Sequence, residues 1–516
     1  MKRTLKSSLI IAPILGACLT MLGLIKWQLA LIGVALPVIT LCLLVFLKSK
    51  KIEISKNMFT VALVSLLVSA LIVTNFILKT YVTTTFDANG KTYLYSDSFM
   101  SLGLFIILII VFIWDRLPMA TTAILGCALM VIFGLCNFST AFGQFASSTV
   151  ILTIGVMVIG SAIAETGLAE IIGNWIVKIS KGKEKLLIVG TYLASAVMSA
   201  FLTNSAVLAI FIPIIVGLAK SSDNIKAKNL IMPIAIGCVL GGASTLVGST
   251  QQMTAQGLLE DAGVRMFKTF DFTLIGGIIV LVGLLYILFI GYRRGEKIWG
   301  SREENIDDVK LEAKEKQPVW KPIVMACIFA ATVVLYITEW IPLAITSTMA
   351  ALLCIITGCV SQKKAVKSVN WDIVGRLAGC LGIAKALEVA GGTALIAKGF
   401  TAIFGNGVSP FFLFAILVLL VLVTSQFISN STAILIVLPI VISIAPELGL
   451  NTYAFALGIT LASGVALSCP LASSTLGMSM TVGYKFNDYF KYSIFMDILS
   501  YIIIIVLVPL IYGLVI

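Results

Sequence analysis

Two short stretches place neutral, oxygen-bearing side chains in the middle of otherwise apolar sequence. The first runs from Ser199 to Pro213 and carries the triplet Thr203-Asn204-Ser205; the second runs from Ser425 to Pro439 and carries Ser429-Asn430-Ser431. The copies are 226 positions apart, each with a serine four residues before the triplet and a proline eight residues after it. Hydroxyl and amide oxygens suit an alkali cation, while the same O–H and N–H groups can donate to a carboxylate or sulfate. Ser199 and Thr203 share one helix face, as do Ser425 and Ser429, so each pair can turn two hydroxyls toward one ion. The chemistry on offer is binding rather than bond making: a paired ion and substrate site. One such triplet would mean little, because Ser and Thr in apolar helices commonly bond back to the preceding turn. Two at matching positions, each followed by a Gly/Ser-rich break, mean more.

Helices buried in a membrane must position these residues. The chain has 516 residues, 59% hydrophobic and 12% charged, about half the charge of a soluble domain. Apolar runs recur from end to end, and the short alternating strands of an outer-membrane barrel are absent, so the expected fold is all-α and polytopic. Residues 1–98 read as an accessory region with spans at 8–25, 28–47 and 57–78, the first a retained helix rather than a cleaved signal. Residues 99–292 form a first repeat, with spans near 99–114, 118–136, 148–166 and 273–291, a hairpin over 186–219 holding the first triplet, and a segment near 230–257 interrupted by Gly241-Gly242-Ala-Ser-Thr-Leu-Val-Gly248-Ser249. A charged linker, 293–322, separates it from a second repeat, 323–516, with its own hairpin over 410–445 and a break at Ser468-Cys-Pro470-Leu-Ala472-Ser473. Pro118 to Gly134 corresponds to Pro342 to Gly358 at an offset of 224. Landmarks at nearly constant offset define an internal repeat.

The positive-inside rule orients the chain. With the N-terminus cytoplasmic and both triplet segments folded as re-entrant hairpins, the Lys/Arg-rich loops (48–56, 178–185, 220–228, 293–321, 363–367, 485–491) fall on one side. Loops 137–147, 391–409 and 446–453 then fall outside, as does the C-terminus. Each repeat has five full spans plus one hairpin, and an odd number of spans inverts the second repeat relative to the first. Binding then belongs at the midplane, where discontinuous helices meet. The net charge of +12 sets orientation in the bilayer and is not a nucleic-acid surface. The chain has no His, and its ten Cys lack CxxC spacing, which leaves them as small apolar residues.

Glu165 and Glu388 occupy equivalent positions in the two repeats, near span ends, and are the carboxylates through which proton coupling would run; Lys385 lies close to the second. Anion exchange is a further alternative within the same architecture, and a channel or a membrane enzyme is a remote one. There is no HExxH, no nucleophile elbow and no intramembrane cluster of acids, so the chain is not expected to be an enzyme.

At its triplets the chain resembles the divalent anion/sodium symporter (DASS) family of the ion-transporter superfamily, whose hallmark is a Ser-Asn-Thr triplet at each of two opposed hairpin tips. Ile337-Thr338-Glu339-Trp340-Ile341-Pro342-Leu343 and Gly241-Gly242-Ala-Ser-Thr-Leu-Val-Gly248 are similar to further stretches of that family, and the resemblance covers about 99–516. It implies a homodimer of scaffold and transport domains that carries a di- or tricarboxylate, or sulfate, by an elevator-type movement coupled to sodium. It implies one sodium near Ser199, Thr203, Asn204 and Gly248 and a second near Ser425, Ser429, Asn430 and Ala472. Substrate would lie against Asn204, Ser205, Asn430 and Ser431, with Ser249 and Ser473 nearby. This chain departs from the family in two ways. Both triplets end in Ser, and the family's Thr-Pro-Pro-Asn-type segment is replaced by Gly248-Ser-Thr-Gln-Gln252 and Ala472-Ser-Ser-Thr-Leu476.

Overall fold

The computed structural model describes residues 84–88, 91–114, 117–180, 183–221, 225–300, 318–404 and 409–515, together with residue 70. The three N-terminal spans expected before residue 79, and residues 301–317 of the linker, lie outside the described residues. What is described is almost entirely helical and falls into two compact units: the described residues up to 146 with 371–404, and the described residues of 147–370 with 409–515.

In the first unit, an antiparallel hairpin pairs Thr85–Ala88 with Lys91–Leu94 in the register Thr85↔Leu94. The Tyr95–Trp114 helix follows directly. The core of this unit is the Met119–Ile132 helix against the Trp371–Val389 helix. Small residues make the approach possible: a methyl on Gly379 would lie 2.8 Å from the Ala123 methyl, and one on Gly382 would lie 2.7 Å from the Cys127 sulfur. Close backbone contact of this kind is how apolar helices gain dispersion energy where lipid offers no hydrophobic gradient. Gly391, at φ 80°, ends the long helix, and the Gly392–Phe404 helix departs from it; the bend between them is 68°.

The second unit repeats this pairing within itself. The Ser148–Thr166 helix packs on the Leu343–Ile356 helix, and a methyl on Gly155 would lie 2.7 Å from the Ser347 hydroxyl. Gly155 and Ser347 stand 224 positions from Gly379 and Ala123 respectively. The offset read from the sequence therefore recurs in side-chain contacts. Gly167, at φ 77°, ends Ser148–Thr166 as Gly391 ends its counterpart, and the Leu168–Ile179 helix follows.

The remaining helices of the second unit carry the breaks. Glu184–Ser199 and Asn204–Ser221 flank the first triplet, and Pro410–Thr424 and Asn430–Glu447 flank the second. Ala227–Gly242 and Thr250–Asp261 are separated by 243–249, and Thr452–Gly464 and Ser474–Ser479 by 465–473. All four interruptions fall where the sequence placed them.

Six helices among the described residues are long and apolar enough to cross a membrane: Tyr95–Phe112, Phe138–Thr166, Thr273–Trp299, Trp320–Thr338, Asn430–Glu447 and Phe486–Tyr512. Several other expected spans are shorter; Met119–Ile132 and Leu343–Ile356 have 14 residues each. At 1.5 Å per residue that is about 21 Å, less than the ~30 Å hydrocarbon core. The linker also begins later than the charge pattern suggested. A π-helical turn at Ile287–Gly291 carries the helix on to Trp299, whose indole N–H donates to Asn229 Oδ1 at 3.0 Å.

Candidate functional site

Both triplets lie in the second unit, at the point where one helix ends and the next begins. At the first, the Ser199 hydroxyl donates to Asn204 Oδ1 at 2.7 Å, closing the four-residue gap between the helices. Asn204 Nδ2 in turn donates to Ser249 Oγ at 3.3 Å. Thr203 contributes its carbonyl to the first turn, accepting from Val207 N at 3.2 Å. The 243–249 segment is folded against this tip. The Thr245 hydroxyl donates to the Ala200 carbonyl, and Gly248 N donates back to Thr245 Oγ1 at 3.2 Å.

Gly248 is the point of closest approach. A methyl there would lie 2.6 Å from the Gly242 carbonyl oxygen and 2.7 Å from that of Ser199. Two backbone carbonyls thus converge beside Asn204. Both sit at helix C-terminal ends, where the carbonyls lack intrahelical partners and the dipole is negative. Ser199, Asn204 and Gly248, three of the four expected ligands of the first cation, are brought together.

The second tip is built alike but bonded differently. Ser429 caps the Asn430–Glu447 helix, its oxygen accepting from Thr432 N at 3.3 Å and hydrogen-bonded to Thr432 Oγ1 at 2.6 Å. Ser425 Oγ and Asn430 Oδ1, the counterparts of the bonded Ser199–Asn204 pair, are buried without a hydrogen-bond partner. A buried acceptor without a partner is costly, and neutral oxygens left open at a helix break have the donor chemistry for an alkali cation. Ala472 is buried, its N–H donating to Cys469 O at 3.1 Å.

The last serine of each triplet reaches toward the other half. Ser205 Oγ lies 2.8 Å from Ser474 Oγ and 3.2 Å from Thr475 Oγ1; Ser431 Oγ donates to Thr250 Oγ1 at 3.0 Å. Ser474 and Thr250 are 224 positions apart, so the contact is reciprocal. Ser249 and Ser473, just before them, share the same extended backbone at the N-cap position, and Ser473 also caps with its side chain, accepting from Thr475 N at 3.3 Å. The two breaks also abut: a methyl on Gly464 would lie 2.9 Å from the Ala243 methyl. Among the six substrate candidates, only Asn204 and Ser249 hydrogen-bond each other.

Sequence reasoning missed Thr250, Ser474 and Thr475, although they adjoin residues it selected. It also missed Gln252, which is fully buried with neither amide atom partnered. Asp497 was overlooked as well, though an acid inside an apolar run is a functional candidate by default. The two carboxylates that were singled out lie elsewhere. Glu165 is half-exposed and ion-paired with Lys364 at 2.5 Å, and Glu388 is ion-paired with Lys385 at 3.0 Å. Glu339 holds a left-handed backbone (φ 51°) and accepts from Thr269 N at 3.2 Å.

Comparison with known proteins agrees with this architecture. The citrate transporter family, CitMHS, matches residues 109–408 and 333–516. The uncharacterized transporter sll0640 of Synechocystis is 30% identical over 191 residues, 37% of this chain and 31% of that protein. The sodium-dependent dicarboxylate transporter SdcS of Staphylococcus aureus is 20% identical over 400 residues, 70% of this chain and 75% of that protein. In fold, the crystal structure of the Alcanivorax borkumensis YdaH transporter superposes with a TM-score of 0.54 at 14% identity, covering 79% of this chain and 98% of that one. The relatives and the fold neighbour are transporters, not enzymes.

Proposed function

Because this chain belongs to the citrate transporter family, CitMHS, we propose that it is a secondary active transporter that carries a small dianion with sodium as the coupling ion. The dianion is a di- or tricarboxylate or sulfate. Residues 99–292 and 323–516 act as inverted repeats, each with a re-entrant hairpin, and the protein works as a homodimer with an elevator-type movement. The observation that carries this reading is the state of the two tips. One gathers the Ser199 and Gly242 carbonyls around Gly248 beside Asn204; the other leaves Ser425 Oγ and Asn430 Oδ1 buried and open. Both are neutral oxygen sets, which suits a singly charged ion. The relative SdcS, a sodium-dependent dicarboxylate transporter, supports the same pairing of ion and substrate.

Substrate lies between the tips, against Asn204, Ser205 and Ser249 from one side and Asn430, Ser431 and Ser473 from the other. The hydroxyl pairs Ser205–Ser474 and Ser431–Thr250 mark where an anion would exchange protein–protein hydrogen bonds for its own. The first turns of Asn204–Ser221 and Asn430–Glu447 add free N–H groups and the positive ends of two helix dipoles. Proton coupling through Glu165 or Glu388 is disfavoured, since each already has a lysine partner.

The test uses purified protein in proteoliposomes with a panel of labelled succinate, citrate and sulfate. A sodium gradient, a proton gradient or neither is imposed. The expected result is sodium-driven uptake of one member, lost in Asn204→Ala and in Asn430→Ala. Uptake driven only by protons, or exchange that needs neither gradient, overturns sodium coupling.

A further inference from the structure

Asp497 is a carboxylate that the mechanism above does not use. It lies on the Phe486–Tyr512 helix and is 3% exposed. Its Oδ1 accepts from Leu467 N at 3.0 Å, and its Oδ2 accepts from Ser468 N at 3.1 Å and Gln426 Nε2 at 2.8 Å. Leu467 and Ser468 belong to the 465–473 break, and Gln426 directly follows Ser425. One side chain therefore holds both elements that supply the second tip.

No cation balances it among the described residues. A cavity of about 360 Å³ reaches Gln426, Ser468 and Asp497, and no Lys or Arg lines it. Arg294, on the adjacent Tyr292–Trp299 helix, lies over the Phe495 ring, 4.6 Å from its centre. Tyr286, on the neighbouring Thr273–Tyr286 helix, gives its hydroxyl proton to the Tyr492 carbonyl. Three N–H donors fit an acceptor-only carboxylate, and the rest of its charge is left to be compensated by something close by.

The first half joins the equivalent pair without the charge, and through the other backbone group. At the offset of 224, Asp497 corresponds to Thr273 and Ser468 to Ser244. The Thr273 hydroxyl donates to the Ser244 carbonyl at 2.8 Å. The halves thus differ twice over: the second tip has two open oxygens and an adjacent carboxylate, whereas the first has its Ser199–Asn204 pair closed and a neutral threonine.

We propose that Asp497 makes the second tip the tighter of the two sodium sites, so that it fills first. This rests on the sodium-coupled reading given above. Asp497 is a positioning and charge-balancing residue: it acts through Gln426 and Ser468 and is not itself an ion ligand.

The test is a sodium titration of the purified full-length protein, read as thermal stabilisation with potassium holding ionic strength constant. Proteins compared are the wild type, Asp497→Asn, and the swap Asp497→Asn with Gln426→Glu, which returns a carboxylate to the same contact. Asp497→Asn should raise the sodium concentration for half-maximal stabilisation about tenfold, the order expected for losing one nearby charge. The swap should bring it back to within about threefold of wild type. An Asp497→Asn protein that folds and responds within about twofold of wild type overturns the proposal, as does a folded swap variant as weak as the single one. If Asp497→Asn does not survive purification, the swap against wild type decides. A wild type that sodium neither stabilises nor drives defeats the sodium reading itself, and the proposal with it; a sodium-responsive wild type with an unaffected variant defeats this proposal alone.

Discussion

Gly248 tests the first tip at the scale of a single atom. Two carbonyl oxygens stand where its β-carbon would be, at 2.6 and 2.7 Å, closer than carbon and oxygen tolerate without movement. Gly248→Ala should push the Gly242 and Ser199 carbonyls apart, raising the sodium concentration for half-maximal uptake by about tenfold or more, with a measurable loss of thermal stability. Ser205 makes a different point, because its partners are on the other half. Ser205→Ala removes one hydroxyl from the proposed anion site and leaves the Ser199–Asn204 bond untouched. Substrate KM should rise several-fold, of the order expected for about 1 kcal/mol of hydrogen bonding, while sodium dependence stays near wild type. Measuring the two constants separately distinguishes this from a general loss of fold. These residues were legible in the sequence because type and spacing repeat. Ser474, Thr475 and Thr250 were not, because their role depends on which helix lies opposite, and no spacing within one segment encodes that. Asp497 was legible in principle, as an acid inside an apolar run; it was masked by the basic and polar loop just before it.

The helices show where such reading succeeds and where it ends. The two triplet breaks were visible, because a helix that runs from apolar arm to polar triplet to apolar arm announces its own interruption. The arms carry Pro213 and Pro439 at the same offset as the triplets, inside Asn204–Ser221 and Asn430–Glu447. Proline there removes a backbone donor and kinks the helix. Less legible were the Leu168–Ile179 and Gly392–Phe404 helices: the first was assigned no span, and the second lies in what the charge pattern read as the external loop 391–409. Their boundaries are set by left-handed glycines, Gly167 and Gly391, which a hydropathy window does not see. Span length was also overread at the far end: the span expected over 118–136 stops at Ile132, just before the left-handed Gly134, as Leu343–Ile356 stops just before the left-handed Gly358. The small-residue seams are a prediction at this scale. Gly155→Leu should jam the contact with Ser347 and reduce the yield of folded protein, and Gly379→Leu should do the same in the other unit against Ala123. Monodispersity on size exclusion reads both. One seam tolerating leucine while the other does not would show that the two pairings, alike in contact, are unlike in packing.

For the molecule as a whole, orientation is the claim most open to a direct check. The proposed topology puts the charged linker in the cytoplasm, with Lys310, Lys314 and Lys316 within it. Trypsin added to inside-out vesicles should therefore cut within the linker, along with the other Lys/Arg-rich loops on that side, and trypsin added to right-side-out vesicles should leave the linker intact. The reverse pattern would invert the topology and remove the positive-inside argument. Transport by a polytopic membrane protein of this family depends on halves that meet late. Ser205 and Ser474 are 269 residues apart. At roughly 5–20 residues per second of synthesis, the first triplet is made between about fifteen and fifty seconds before its partner exists. On the proposed topology, the polar tip waits during that interval in or near the bilayer without the hydroxyls that later bond to Ser205. A nascent chain stalled anywhere in the linker would present that tip permanently, and should be drawn to membrane quality control sooner than one stalled after residue 480.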